Sequence, residues 1–176
     1  MLNLSYSACY DPYNTIFRMS VLLSKSTTKS MLIETLKIAD FFLCFPSRLE
    51  EIKPPNSVKG MRGRCNRVVR ELKKNQFEIL PASEVLFDRM DIIQETSISA
   101  MCSKEIITIS GEGDRRELFL APDMLPSPLT ERIDNFSSLN TELVNLLAVD
   151  FNKIQILGSD GLKARTGLGD YVYDTI

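Results

Sequence analysis

The stretch from Ser30 to Phe45 constrains the fold more than any other part of this chain. Leu32, Leu36, Ala39 and Leu43 recur at i, i+4, i+7 and i+11, which predicts a helix running from about Ser30 to Phe45 with one apolar stripe. Ile38, Phe41, Phe42 and Phe45 fall outside that stripe, so the helix is apolar over more than half its circumference. A helix of this kind must lie at the centre of a core or be covered by a partner. Phe41, Phe42 and Phe45 are therefore candidate interface residues as well as candidate core. Pro46 ends the helix, because proline has no N–H to donate and its ring clashes with the preceding turn.

The flanking sequence supplies elements to pack around it. Asp11-Pro12 reads as an N-cap followed by proline at the first helical position, opening a helix to about Lys25 with Ile16, Met19 and Leu23 in its stripe. Beyond a loop marked by Lys53-Pro54-Pro55-Asn56, Gly60 and Gly63, a third helix is expected from about Arg64 to Lys74, and then a short strand over 76–80. Three helices and such a strand outline a winged-helix-like lobe over 1–80. A longer helix is expected from Pro81 to about Met101, its outer face carrying Glu84, Asp88, Asp91 and Glu95. Residues 105–109 and 115–120 flank Gly111-Glu112-Gly113-Asp114, the composition of a β-hairpin. Residues 129–149 read as helical with a break near Ser137-Ser138, and the glycine-rich tail from Gly158 to Gly169 reads as loop. The expectation is a mainly α chain with a small β-hairpin (α+β), in which 81–176 forms one compact unit with the first lobe.

Composition narrows the chemistry. There is no histidine among the 176 residues, which removes Ser-His and Cys-His mechanisms and the commonest metal ligand. Cys9, Cys44, Cys65 and Cys102 lie far apart with no C-x-x-C pair, so neither a zinc site nor thiol exchange is expected. Cys44 follows Phe41-Phe42-Leu43 and Cys102 follows Met101, contexts that suit small buried hydrophobes in a reducing compartment. The N-terminus lacks the features of a secretory signal and no apolar run approaches membrane-spanning length, so a soluble cytoplasmic protein is expected. Gly158-Ser159-Asp160-Gly161-Leu162-Lys163 fails the spacing of a phosphate-binding loop. No catalytic centre, cofactor or metal is expected.

Charge supplies the strongest local signal. A formal net charge of -2 excludes coating of nucleic acid by bulk charge. Yet Lys59, Arg62, Arg64, Arg67, Arg70, Lys73 and Lys74 share one window whose only acid is Glu71, a patch that suits a phosphate backbone or an acidic protein surface. The competing reading is a solvated helix face. The acidic stripe of the fourth helix spreads its carboxylates over about 16 Å, too far for one ion, and reads as a solvated face or as docking to a basic partner. Tyr10 and Tyr13, with Tyr6, Tyr171 and Tyr173, either pack the chain ends or anchor a partner.

Two segments carry a resemblance. Tyr10-Asp11-Pro12-Tyr13-Asn14-Thr15-Ile16-Phe17-Arg18-Met19 and Leu36-Lys37-Ile38-Ala39-Asp40-Phe41-Phe42-Leu43-Cys44-Phe45-Pro46 resemble the middle components of ABC three-component systems, the class that includes Lamassu defence modules. The resemblance implies a subunit in bacterial defence against phage or plasmid DNA, bridging or regulating an SMC-like ATPase and a nuclease-type effector, with DNA met through the complex. It brings no catalytic residues with it. The rival expectation from the three-helix lobe and basic window is a winged-helix DNA-binding regulator.

Overall fold

The computed structural model describes residues 6–55, 57–72 and 80–169. Helix α1 (Pro12–Lys25) follows an N-terminal 3-10 turn (Tyr6–Tyr10) and is capped by Asp11: its Oδ1 accepts the Asn14 backbone N–H at 2.8 Å, satisfying one of the donors a helix start leaves open. Residues 30–32, expected as the first turn of the second helix, instead form strand β1 (Ser30–Leu32), and helix α2 runs from Ile33 to Cys44. The reason is non-local. Lys29 turns the chain at φ +55, and Met31 then pairs with Leu118 in a strand far along the sequence. Every α2 residue except Glu34 is buried, which settles the helix at the centre of the molecule.

Helix α3 (Met61–Glu71) begins three residues earlier than expected, after Gly60 at φ +73. Lys73, Lys74 and residues 76–79 of the expected strand lie outside the described residues. Helix α4 (Ser83–Ser103) leads into the hairpin of β2 (Ile107–Ser110) and β3 (Glu117–Leu120). Gly111 is required in that turn, since at φ +88 an added Cβ would sit 2.4 Å from the Arg115 carbonyl oxygen. The fold class is mainly α with a small antiparallel sheet, ordered β1-β3-β2. The central strand therefore joins the hairpin to a strand from the first lobe.

Helices α5 (Ser127–Leu139) and α6 (Thr141–Asn145) are separated at Asn140, close to the expected break, and α6 continues through a π turn (Leu146–Asp150) and a 3-10 turn (Phe151–Lys153). The tail expected as loop contains a further helix, α7 (Leu162–Thr166). Glycine composition misleads here because the glycines bracket the helix: Gly161 precedes it, Gly167 at φ +71 ends it, and Leu162 between them is fully buried.

The core gathers around α2. Phe41 meets Phe42 and Phe87 edge to face at 5.1 and 5.9 Å, and Phe42 meets Phe151 of the 3-10 turn at 5.7 Å. The same buried cluster takes Leu22 and Met19 of α1, Met61 and Val68 of α3, Leu118 of β3 and Leu162 of α7. On the other side of α1, Val21 packs with Ile133 and Val144, where Phe17 meets Phe136 edge to face at 5.5 Å. Helix α1 thus contacts both α4 and α5. Among the described residues, no helix is long and apolar enough to cross a membrane.

Candidate partner-binding surfaces

Inside the apolar shell, the two segments that carry the resemblance are tied together by charge. Arg18 of α1 is 1% exposed and Asp40 of α2 is fully buried, with Arg18 Nε 2.6 Å from Asp40 Oδ1. The remaining guanidinium donors reach the Ala8 carbonyl at 3.0 Å, Thr15 Oγ1 at 2.9 Å and Asp40 Oδ2 at 3.2 Å. Gln94 of α4 donates to Asp40 Oδ2 at 2.9 Å and to the Lys37 carbonyl at 3.0 Å. Burial opposes the Arg18 charge, but Asp40 outweighs it and holds the guanidinium above its ordinary pKa. The cluster joins the N-terminal turn, α1, α2 and α4. Its signal in the sequence is one basic and one acidic residue, each set within an apolar run, a pairing that helical spacing alone does not reveal.

The basic window divides. Lys59, Arg62 and Arg70 are exposed, with Arg70 Nε donating to the Asn66 carbonyl of its own helix at 3.2 Å. Arg64 instead sits 2.7 Å from Asp150 in the π turn, and Arg67 pairs with Glu142 of α6. These two arginines clip α3 to the C-terminal helical run. Lys73 and Lys74 fall outside the described residues.

The aromatic candidates divide too. Phe41, Phe42 and Phe45 are 0%, 2% and 6% exposed, so in this structure their rings face the chain's own core. Tyr10 is half-buried against that core, whereas Tyr13 stands 83% exposed on the first turn of α1.

The acidic face of α4 has more structure than a solvated stripe. Asp91 and Glu95 close on Lys37 of α2, with Nζ 3.0 Å from Glu95 and the Asp91 carboxylate also in hydrogen-bond contact. Burial alone would lower the Lys37 pKa, but hydrogen bonds to the two carboxylates raise it, keeping the ammonium charged. Beside this pair lies an open groove of about 660 Å³, walled by Glu84 and Asp88 and by Glu34 of α2, with Phe87 in its wall and Gly167 and Gly169 at its edge. Lys163 of α7 is engaged by Glu34 of α2 at 3.1 Å and Arg165 by Asp160, so the first ties the glycine-rich tail to α2 and the second is held within the tail.

Cys9, Cys44 and Cys65 are buried and Cys102 is partly so. Burial pushes Cys65 up to about 11 and raises Cys102; burial, a hydrogen bond with Cys9 and the Asp40 charge together put Cys44 well above the ordinary thiol range.

A sequence model of the family described as ABC-three component (ABC-3C) system Middle Component 5 matches residues 4–174. No curated protein and no solved structure matches the chain.

Proposed function

The chain belongs to the ABC-three component (ABC-3C) system Middle Component 5 family, and from that premise we propose that it is a non-catalytic adaptor of a bacterial anti-phage or anti-plasmid defence complex. Its partners are an SMC-like ATPase and a nuclease-type effector, which it bridges or regulates in the cytoplasm. The observation that carries this reading is where the charged groups go. Arg18, Asp40 and Gln94 hydrogen-bond to one another, to the Thr15 hydroxyl and to the backbone deep inside the fold, as a scaffold requires, while Lys59, Arg62, Arg70 and Tyr13 are held outward. The exposed part of the basic window, with Lys73 and Lys74, is the surface for DNA or an acidic partner, and Tyr13 is a partner anchor beside Tyr10. Phe41, Phe42 and Phe45 serve that interface indirectly, by fixing the core beneath it.

The test is co-purification. Tagged protein expressed with the neighbouring genes of its operon retains a large coiled-coil ATPase; purification of the chain alone from that host overturns the reading. A second reading, a winged-helix DNA-binding regulator, draws on the pairing of β1, between α1 and α2, with the second arm of the hairpin. It predicts tight duplex binding by the isolated chain with steep salt dependence, lost in R62E/R70E. Arg62 and Arg70 are better targets than Arg67, whose reversal would also break its pair with Glu142. An adaptor binds duplex weakly on its own.

A further inference from the structure

Helix α4 presents two rails to solvent. Glu84, Asp88, Asp91 and Glu95 lie along one line of the helix, and Val85 and Ile92, 43% and 70% exposed, lie along another roughly 80° round the axis, with the exposed Arg89 between Val85 and Ile92. The acidic rail borders the groove completed by Glu34 and Phe87. Its charge is only partly answered from within the chain. Asp91 and Glu95 hold Lys37, whereas among the described residues no cation pairs with Glu84 or Asp88. Five carboxylates line the groove against Lys37 and Arg116, and of these Glu34 also pairs with Lys163. An acidic groove flanked by exposed apolar side chains at i and i+7 is complementary to an amphipathic segment with the opposite charge.

We propose that the outer face of α4 is a docking site for a basic amphipathic segment of another component of the same system, its Lys or Arg side chains entering the groove beside Glu84 and Asp88 and its apolar side chains covering Val85 and Ile92. The Lys37 contact shows the chemistry on a small scale, since two carboxylates of this rail already hold a nearly buried ammonium. The site is separate from the basic window on α3, so the chain offers two surfaces of opposite charge, and a subunit that holds two partners needs two such surfaces. The inference rests on the adaptor reading for the source of the segment, and on the groove alone for its chemistry.

The probe is a set of overlapping synthetic peptides tiling the other components encoded with this chain, titrated against the full-length protein by fluorescence anisotropy. Peptides bearing Lys or Arg interleaved with apolar residues bind, binding weakens as salt rises, and E84K/D88K weakens it at least about tenfold. Ile92→Ser, which leaves the carboxylates intact, also weakens it, while R62E/R70E does not. Both groups of side chains are exposed, and circular dichroism checks that each variant folds. The proposal is overturned if wild-type protein binds no basic peptide, if the bound peptides are not basic, or if E84K/D88K leaves affinity unchanged. It is equally overturned if the wild type forms oligomers that E84K/D88K dissolves, since the occupant is then a second copy. Co-purification separates the two readings: E84K/D88K that still retains every component at wild-type level removes the groove but leaves the adaptor, whereas wild-type protein that retains none removes the adaptor.

Discussion

Asp40 and Arg18 cannot be changed one at a time without cost. Removing the carboxylate charge leaves a guanidinium that is 1% exposed with only neutral acceptors, and breaking a buried pair from one side costs about 3–5 kcal/mol. Asp40→Asn is therefore expected to lower stability by that amount in urea unfolding, while the double variant R18M/D40L, which removes both charges, recovers a large part of the loss. A cost below about 1 kcal/mol for Asp40→Asn would show that water reaches the site. The cysteines give a prediction in pH. Cys65, Cys102 and Cys44 all have raised thiol pKa values, so at pH 8 each is more protonated in the folded chain than in the unfolded one, and alkylation by iodoacetamide is slow until denaturant is added. Half-exposed Cys102 reacts first. The sign for stability follows. The folded state binds more protons, so the contribution of Cys65 is complete below the ordinary thiol range and is lost as pH rises towards about 11. Cys65→Ala should flatten that part of the pH–stability curve.

At the level of elements, what could be read from the sequence was what local chemistry decides. Asp11 and Pro12 fix the start of α1, and Asp11→Ala is expected to cost about 1 kcal/mol, with Asp11→Asn retaining most of it because an amide oxygen can accept the same Asn14 N–H. Thermal unfolding of the two variants checks this, and equal losses would mean that the charge rather than the cap matters. The hairpin was legible for the same reason, its turn glycines lying between two short apolar runs. Strand β1 was not. Nothing in Ser30-Met31-Leu32 distinguishes a helix start from a strand until Leu118 is available to pair with Met31. Helix α7 was hidden by its own brackets, since Gly161 and Gly167 give the segment the composition of a loop while positioning five helical residues between them. The basic window was visible as charge, but its division was not, because the acids that engage Arg64 and Arg67 lie far along the chain at Asp150 and Glu142.

The whole molecule depends on contacts between its two halves. Strand β1 has its partner in β3, Asp40 has Gln94 from α4, Lys37 has Asp91 and Glu95, and α2 takes Phe87 and Phe151 against its aromatic face. A fragment 1–80 would expose each of these: an unpaired strand edge, a buried carboxylate short of a donor, an ammonium without its carboxylates, and an α2 surface too apolar to face water. The lost burial cannot be offset within the fragment, because apolar burial at about 25 cal/mol per Å² is the main term opposing chain entropy. We therefore expect the intact chain to unfold in one cooperative transition, with far-UV and near-UV circular dichroism superimposing, and fragments 1–80 and 81–176 each to lack a cooperative transition when expressed alone. Mixing the two fragments should restore native near-UV ellipticity, since the interface they share is the core itself. A fragment 1–80 that unfolds cooperatively by itself would overturn this and make the first lobe an autonomous domain. The outcome bears directly on the adaptor reading. In a single cooperative unit, a partner drawn to the α4 face and another drawn to α3 act on the same packed core, so each stabilises the conformation the other binds. Hydrogen exchange in α2, measured with and without a basic peptide on α4, would then slow throughout the helix, although no residue of α2 except Glu34 and Lys37 lines the groove.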